Sequence, residues 1–219
     1  MKKVSIEPAI HAAAPNYKAL VVSCKLTNSE YNAGLLQELN AEIEHFRTRF
    51  LLTDINKLPG IYEMRQLYRK LGKDPNRYRP AAESLCRRVL KEKDLYKINT
   101  LVDCINLISI HTGFSIGGFD LEKIDGDLFL GVGEANEKYD AIGRGLLNIE
   151  GLPVYRDKKG GIGTPTSDEE RTKIDLNTKS LLLIINSAGG KIGLEEAFEW
   201  SKRLLIDYVQ AKEIVHYQI

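Results

Sequence analysis

Apolar positions in the first half of the chain recur mostly at the three- and four-residue spacing of an amphipathic helix. After an apolar run over residues 18–26 that predicts a buried strand, this spacing predicts four helices, over EYNAGLLQELNAEIEHFRTRFLL, IYEMRQLYRKL, AAESLCRRVLKEKDL and LVDCINLISIHTG. Ser29 is the candidate N-cap of the first of these helices, because its hydroxyl can accept a hydrogen bond from a free N–H group of the first turn.

The pattern changes after Gly113, where short apolar runs are bounded by Gly, Asp and Asn. The runs FSIGGFD, DLFLGVG, LPVYRD and SLLLIIN predict strands, GLEEAFEWSKRLLIDYVQAK predicts an amphipathic helix, and EIVHYQI predicts a last strand. Helices followed by strands indicate the α+β class. We therefore expect one domain over residues 1–219, with an N-terminal helical half and a mixed or antiparallel sheet in the C-terminal half.

One segment between the apolar runs, GGIGTPTSDEERTKI over residues 160–174, is rich in glycine, hydroxyl and charged side chains. This composition predicts a long surface loop rather than core. Long loops in compact domains are usually functional or disordered.

Composition excludes some classes of function. The chain is 43% hydrophobic and 28% charged, as in a typical globular protein, and its net charge of +1 indicates no partner by itself. No apolar stretch is long enough to span a membrane, and the N-terminus lacks the apolar region of a secretory signal. Three widely spaced cysteines fit neither a disulfide framework nor a zinc site. We expect a cytoplasmic protein with reduced, packed cysteines and without a metal or membrane partner.

Familiar catalytic signatures are absent from the sequence. GGKIG lacks the spacing of a phosphate-binding loop, and neither a G-x-S-x-G nor an H-E-x-x-H pattern occurs. The four histidines are scattered, so none is favoured as a ligand or a base. We expect no cofactor.

Basic residues are concentrated between Arg65 and Lys93. The segment contains ten basic and only three acidic residues, so it carries a net charge of +7 and the rest of the chain −6. Tyr68 and Tyr78 are interleaved, and basic patches with aromatic residues are typical of RNA-binding surfaces. A solvated helix face with ion pairs such as Glu83 with Arg87 explains the same pattern, and charge alone does not separate the two interpretations.

Two further features have both a structural and a functional interpretation. Gly117 and Gly118 together permit a tight turn or bulge, or the close approach of a ligand to the backbone. Asn106 and Ser109 are polar positions on an otherwise apolar helix. They either satisfy neighbouring backbone groups or face a pocket.

Several of these segments together resemble the B3/B4 domain, which occurs in the beta subunit of bacterial phenylalanyl-tRNA synthetase and as free-standing proteins of about this length. The resemblance covers residues 62–186. It is carried by RYRPAAESLCRRVL, INTLVDCINLISIHTGFSIGGFDLEKIDGD, LPVYRD and GIGTPTSDEERTKI, and in particular by the series Asn99, Asp103, Asn106 and Ser109 and the run Gly117-Gly118-Phe119-Asp120. Because no synthetase catalytic motif accompanies them, the free-standing class is the best fit.

The resemblance implies a function in tRNA editing. In the synthetase this domain hydrolyses tyrosine wrongly esterified to the phenylalanine tRNA, and the segment matching residues 161–168 forms a wall of the editing pocket. The synthetase has a histidine where this chain has Gly117, and its editing glutamate falls near Ser167 or Asp168. A tyrosine-specific mechanism is therefore not implied.

We expect a domain that binds tRNA or aminoacyl-tRNA and in its enzymatic form is a trans-editing deacylase that hydrolyses the ester with a positioned water. Backbone N–H groups at Gly117, Gly118 and Thr164 are the expected oxyanion donors. The alternatives are a non-catalytic module that binds RNA or protein, and a binder or hydrolase of a small amino acid derivative. The candidate catalytic residues are Ser167, Asp168 and Asp120; the candidate pocket residues are Asn106, Ser109, Gly117, Gly118, Thr164, Thr166 and Arg171; the candidate RNA-binding residues are Arg77, Arg79, Arg87 and Arg88.

Overall fold

The computed structural model describes residues 2–93, 95 and 97–219. Its first half contains two strands and five helices: β1 (Val4–Ile6), α1 (Pro8–Ala13), β2 (Lys18–Lys25), α2 (Ala33–Arg49), α3 (Pro59–Lys70), α4 (Ala81–Leu90) and α5 (Thr100–Thr112). Its second half contains eight strands and one helix: β3 (Ser115–Asp120), β4 (Leu128–Val132), β5 (Asp140–Ala141), β6 (Gly145–Leu146), β7 (Pro153–Asp157), β8 (Gly160–Gly163), β9 (Ser180–Ser187), α6 (Leu194–Val209) and β10 (Lys212–Gln218).

The strands form two four-stranded sheets and a small β5–β6 hairpin. The first sheet has the order β1-β4-β7-β8, in which β1 runs parallel to β4 and the other pairs are antiparallel. The second sheet has the order β10-β2-β9-β3 and is antiparallel throughout. The α+β class with mixed and antiparallel sheets is confirmed, although β1 and β2 join these sheets from the N-terminal half.

Strand β9 explains how the second sheet is buried on both faces. Its side chains alternate, so that Leu182 and Ile184 pack toward the first sheet and helix α3, whereas Leu181, Leu183 and Ile185 pack toward α5 and α6. A strand that is covered on both faces has an uninterrupted apolar sequence, as SLLLIIN does.

None of the helices that the structure describes is long and apolar enough to cross a membrane.

Helix boundaries depend on local hydrogen bonds that the apolar pattern does not encode. The predicted cap Ser29 is wrong: the side chain of Asn32 accepts the bond from the Leu35 N–H, at 3.1 Å, and Ser29 instead bonds to the Thr100 hydroxyl at 2.7 Å. Helix α4 ends at Leu90, earlier than expected. The predicted extension of that helix includes Asp94, which lies outside the described residues.

The prediction of a long surface loop over residues 160–174 is wrong in its first part. Residues 160–163 form strand β8, and residues 161–166 are buried. Glycine allows this packing, because a Cβ on Gly161 would lie 2.9 Å from the Tyr139 ring and one on Gly163 would lie 2.5 Å from the Phe119 ring. The glycines therefore bring a strand against two aromatic side chains.

Candidate functional site

A cavity of about 510 Å³ lies where the N-terminal half of α5 meets strand β3 and the segment that follows β8. Pockets of this size are typical of small-molecule sites. Its lining residues are Ala81, Ile98, Asn99, Val102, Ile105, Asn106, Ile116, Gly118, Ile142, Thr164, Ser167, Asp168, Lys173, Ile174, Asp175 and Leu176.

Aliphatic side chains make up half of this lining, and none of the described residues in it is aromatic. Three of them come from separate loops and are partly open to solvent: Ile98 is 55% exposed, Ile142 39% and Leu176 51%. Large apolar side chains that are exposed around a cavity are typical of a binding site. These three residues therefore form an apolar rim.

Helix α5 and its N-cap residue contribute two amides to the cavity. Asn99 and Asn106 are seven residues apart, which places both on one face of the helix. The side-chain oxygen of Asn99 caps the helix by accepting from the Val102 N–H at 3.0 Å. The Asn106 side chain has no hydrogen-bond partner among the described residues, so its donors and acceptor are open to a ligand.

Asp168 holds a fixed position between the two sheets. Its Oδ2 accepts the Gly118 N–H at 3.0 Å, and its backbone oxygen accepts the Ile142 N–H at 3.0 Å. It also forms an isolated bridge with Gly163. Strand β3 lies at the edge of its sheet, where backbone groups lack a neighbouring strand as a partner. The Asp168 carboxylate accepts a backbone N–H on that edge instead.

The two adjacent glycines lie in the middle of β3, so the predicted turn is wrong. Gly117 and Gly118 pair with Ile184 and Leu183, and neither glycine has a positive φ. A Cβ on Gly117 would lie 2.7 Å from the Phe119 ring and 3.4 Å from Asp168 Oδ1. The missing side chain therefore makes room for a ring and for the carboxylate.

Burial raises the pKa of the Asp168 carboxyl to about 7, and the hydrogen bond from Gly118 opposes this shift only in part. The other two charged residues of the lining have partners. Lys173 pairs with Glu170 at 2.5 Å, and Asp175 pairs with Lys123 at 2.7 Å. Asp168 has no ion-pair partner in the part of the chain that the structure describes.

Four of the ten candidate catalytic and pocket residues are engaged elsewhere. The Ser109 hydroxyl donates to the Phe114 oxygen at 2.7 Å, and Thr166 bonds to the buried Tyr68 hydroxyl at 2.9 Å. Arg171 makes a bidentate pair with Asp157, at 2.9 Å for both bonds.

The fourth is Asp120, which is buried and accepts hydrogen bonds from the Thr178 hydroxyl at 3.0 Å and the Glu122 N–H at 3.1 Å. None of these four lines the cavity, and Gly117 does not line it either. The cavity does bring together five of the candidates: Asn106, Gly118, Thr164, Ser167 and Asp168.

Two of the three predicted backbone donors, Gly118 and Thr164, are already used. The Gly118 N–H donates to Asp168, and the Thr164 N–H donates to the Ser167 oxygen at 3.0 Å. A ligand oxygen in the cavity therefore meets the side-chain amides of α5 and the Ser167 hydroxyl before it meets a free backbone N–H of these two residues.

The cysteines are placed as packing residues. Cys24, Cys86 and Cys104 are all buried, and burial raises the pKa of the Cys24 and Cys86 thiols to about 12. A thiol with a raised pKa forms little of the nucleophilic thiolate. This confirms the expectation that the cysteines pack as small apolar side chains.

The basic segment divides into structural and exposed residues. Buried Glu83 binds two arginines, Arg65 and Arg87, each at 2.8 Å. Lys73 is also buried, and it donates to the Asn148 and Glu150 oxygens. The ion pair that was one interpretation of Arg87 is thus present, and part of the charge excess serves the fold.

Arg77 and Arg79, in contrast, are exposed, and Arg88 is half-buried. Two residues after Arg79, Ala81 lines the cavity, and the Ala81 N–H donates to the Pro165 oxygen at 2.7 Å. Arg79 is therefore close to the cavity lining along the chain.

Most of the aliphatic wall and the rim were not predicted from the sequence. Asn99 and Val102 could have been found from their helical spacing to Asn106. Ile98, Ile142 and Leu176 have no such signal, because they belong to three loops that only the folded chain brings together.

Comparison with known proteins identifies a relationship over most of the chain. A family model described as the B3/4 domain matches residues 63–194. The comparison with curated proteins found no match. Among solved structures, the chain is similar to an N-terminal fragment of the phenylalanyl-tRNA synthetase beta subunit from Pyrococcus horikoshii, with 14% identity and a TM-score of 0.49. The similarity covers 99% of this chain and 53% of that chain, so this chain spans about half the length of the fragment.

Proposed function

Because the chain belongs to the B3/4 domain family, we propose that it binds aminoacyl-tRNA and hydrolyses the ester of a misacylated tRNA with a water held in the cavity. The substrate is what the resemblance to the editing domain implies. The observation that carries the proposal is an open cavity with a half-aliphatic lining and a carboxylate that has no ion-pair partner among the described residues, lined by Ala81 two residues after the exposed Arg79.

Hydrolysis of the aminoacyl ester requires few catalytic groups from the protein. Water adds to the acyl carbon, the ester C–O bond breaks, and the products are the free amino acid and the tRNA 3′-hydroxyl. An aminoacyl ester is already activated, so holding it beside a water in the right orientation supplies much of the rate. Asn106, Ser167 and Asp168 are the side chains that we assign to this positioning.

In this proposal, side chains rather than backbone N–H groups stabilise the oxyanion. The N–H groups of Gly118 and Thr164 are engaged within the fold, whereas the Asn106 amide has no partner among the described residues. A preorganised amide donor in a cavity stabilises developing negative charge better than the same group in water. Asn106 is therefore our candidate oxyanion donor.

A covalent mechanism has less support. No histidine is among the described residues that line the cavity, so the Ser167 hydroxyl has no adjacent imidazole base there, and none of the three buried cysteines is in this lining. The alternatives of a non-catalytic module or a small-molecule binder differ in their expected pockets. A module would have filled its pocket, and a small-molecule binder would not need basic residues beside it.

The experiment is a screen of the purified protein against correctly charged and mischarged aminoacyl-tRNAs, scored for loss of the amino acid. We expect at least one mischarged tRNA to be deacylated. Asn106→Ala should lower the rate by about 10²–10³, the usual loss for one oxyanion donor. Asp168→Ala and Ser167→Ala should each retain measurable activity, because positioning is shared.

Acid quenching during turnover, followed by mass spectrometry, tests the water mechanism. We expect unmodified protein at every time point. An aminoacyl group attached to Ser167 or to a cysteine would show that hydrolysis proceeds through a covalent intermediate. If no tRNA in the panel is deacylated or bound, the proposed function is wrong.

A further inference from the structure

The charge balance of the cavity indicates which acyl groups it accepts. Three charged residues line it, and the ion pairs of Lys173 with Glu170 and of Asp175 with Lys123 cancel two of them. The carboxylate of Asp168 is left without a countercharge among the described residues. Once it is ionised, Asp168 is therefore the one unbalanced negative group among the described lining residues, half of which are aliphatic.

The fold holds this carboxylate in place rather than letting it turn toward water. Gly118 donates to Oδ2, and Oδ1 lies so close to strands β3 and β8 that a Cβ on Gly163 would approach it to 2.9 Å. Oδ1 has no hydrogen-bond partner among the described residues. The glycines of β3 and β8 thus make room for the Asp168 carboxylate. Its Oδ2 accepts a hydrogen bond, and its Oδ1 accepts none from the described residues.

An unpaired carboxylate that has lost part of its hydration is stabilised most by a cation that also donates hydrogen bonds. An aminoacyl ester carries such a group, the α-ammonium, and carries no carboxylate. We infer that the cavity selects acyl groups with a free α-ammonium and no carboxylate, and that Asp168 is the residue that contacts the ammonium. This inference rests on the proposed function for the identity of the full substrate.

Two classes of molecule are excluded by the same charge balance. An N-acylated ester, such as the end of a peptidyl-tRNA, has no ammonium to balance Asp168. A free amino acid has the ammonium but brings a second carboxylate into a site that holds no unpaired cation among its described lining residues. The product of hydrolysis is therefore repelled, whereas the substrate is not.

Three small probes with one side chain separate these cases without using tRNA. Phenylalaninamide has an ammonium and no carboxylate, N-acetylphenylalaninamide has neither, and free phenylalanine has both; the leucine series repeats the test with an aliphatic side chain. Titrations are followed by NMR through the Gly118 N–H and the Asn106 side-chain amide, which report on the cavity itself.

We expect both amides to shift these two signals and to bind about tenfold or more tighter than their N-acetyl and free-acid forms, the loss expected for one charge-assisted hydrogen bond. Asp168→Asn should abolish this preference. Asp175→Asn is the matched control: Asp175 lines the same cavity but is not the unpaired carboxylate, and Lys123 still has Asp120 at 3.4 Å as a partner in the variant, so the preference for the amide over its N-acetyl form should remain.

The inference is overturned if the amide and its N-acetyl form bind equally, if Asp168→Asn keeps the preference, or if no amide shifts the cavity signals. These results are independent of tRNA. A selective cavity in a protein that deacylates no tRNA would contradict the proposed function alone, and deacylation of N-acetylated and free-amino esters at equal rates would contradict the inference alone.

Discussion

Replacing Asp168 with Asn tests the structural account of the carboxylate through the pH dependence of stability. The pKa of Asp168 is raised from an ordinary 3.8 to about 7 by burial. Between these values the unfolded chain has lost the proton and the folded chain still holds it, so stability falls as pH rises through this range. Asn keeps an oxygen that can accept the Gly118 N–H but does not titrate.

The magnitude follows from the width of the window. Each pH unit between the two pKa values costs the wild-type protein about 1.4 kcal/mol relative to the variant. Because the folded group is half titrated at pH 7, the free energy of unfolding of Asp168→Asn should rise by about 2 kcal/mol relative to that of the wild type between pH 5 and pH 7, with no further change well above pH 7.

Urea unfolding of both proteins at pH 5, 6, 7 and 8 measures this difference. Asp175→Asn is the control, because Lys123 and the Asn177 N–H hold the Asp175 pKa below its usual value and the group is ionised in both states above pH 5. Its difference from the wild type should be flat. If the curves of Asp168→Asn and the wild type also run parallel, the carboxylate is solvated, and the account of an unbalanced charge in the cavity is refuted.

Three further predictions concern the surroundings of the site. Glu83→Gln leaves two arginines without their shared buried partner and should lower the free energy of unfolding by about 3–5 kcal/mol, measured in urea; an unchanged midpoint would contradict the structural assignment of this ion-pair group. Gly163→Ala should destabilise the protein by about 1–3 kcal/mol through overpacking, whereas Gly118→Ala should cost less, because its new methyl meets the flexible ends of the Ile105 and Ile174 side chains rather than an aromatic ring; equal effects would contradict this distinction. Charge reversal at Arg77 and Arg79 should weaken tRNA binding and flatten its salt dependence without changing the urea midpoint; full affinity in the folded variant would exclude these residues from the RNA surface.

Helical spacing and short apolar runs predicted most elements because those patterns reflect burial on one face or on two. The run SLLLIIN predicted β9, and the spacing of Asn106 within an apolar helix predicted a polar position that indeed lines the cavity. These signals are local, so a single sequence contains them.

The remaining features depend on partners distant in the sequence. The composition of GGIG predicts a loop, yet the segment forms β8. Its glycines lack side chains, and the Phe119 and Tyr139 rings occupy the space that such side chains would need. A basic residue such as Arg65 is expected at the surface, yet Arg65 is buried because it forms an ion pair with Glu83. The contact between Gly118 and Asp168 joins residues fifty positions apart, and no local pattern encodes it.

Single-turnover deacylation of a mischarged tRNA by the wild-type protein and by Asn106→Ala tests whether this cavity hydrolyses the ester, because Asn106 lies in the cavity with no structural partner among the described residues. We expect the wild type to release the amino acid well above the buffer rate and the variant, folded and still able to bind tRNA, to be slower by about two orders of magnitude or more. Equal rates for the two proteins would place the chemistry outside this cavity.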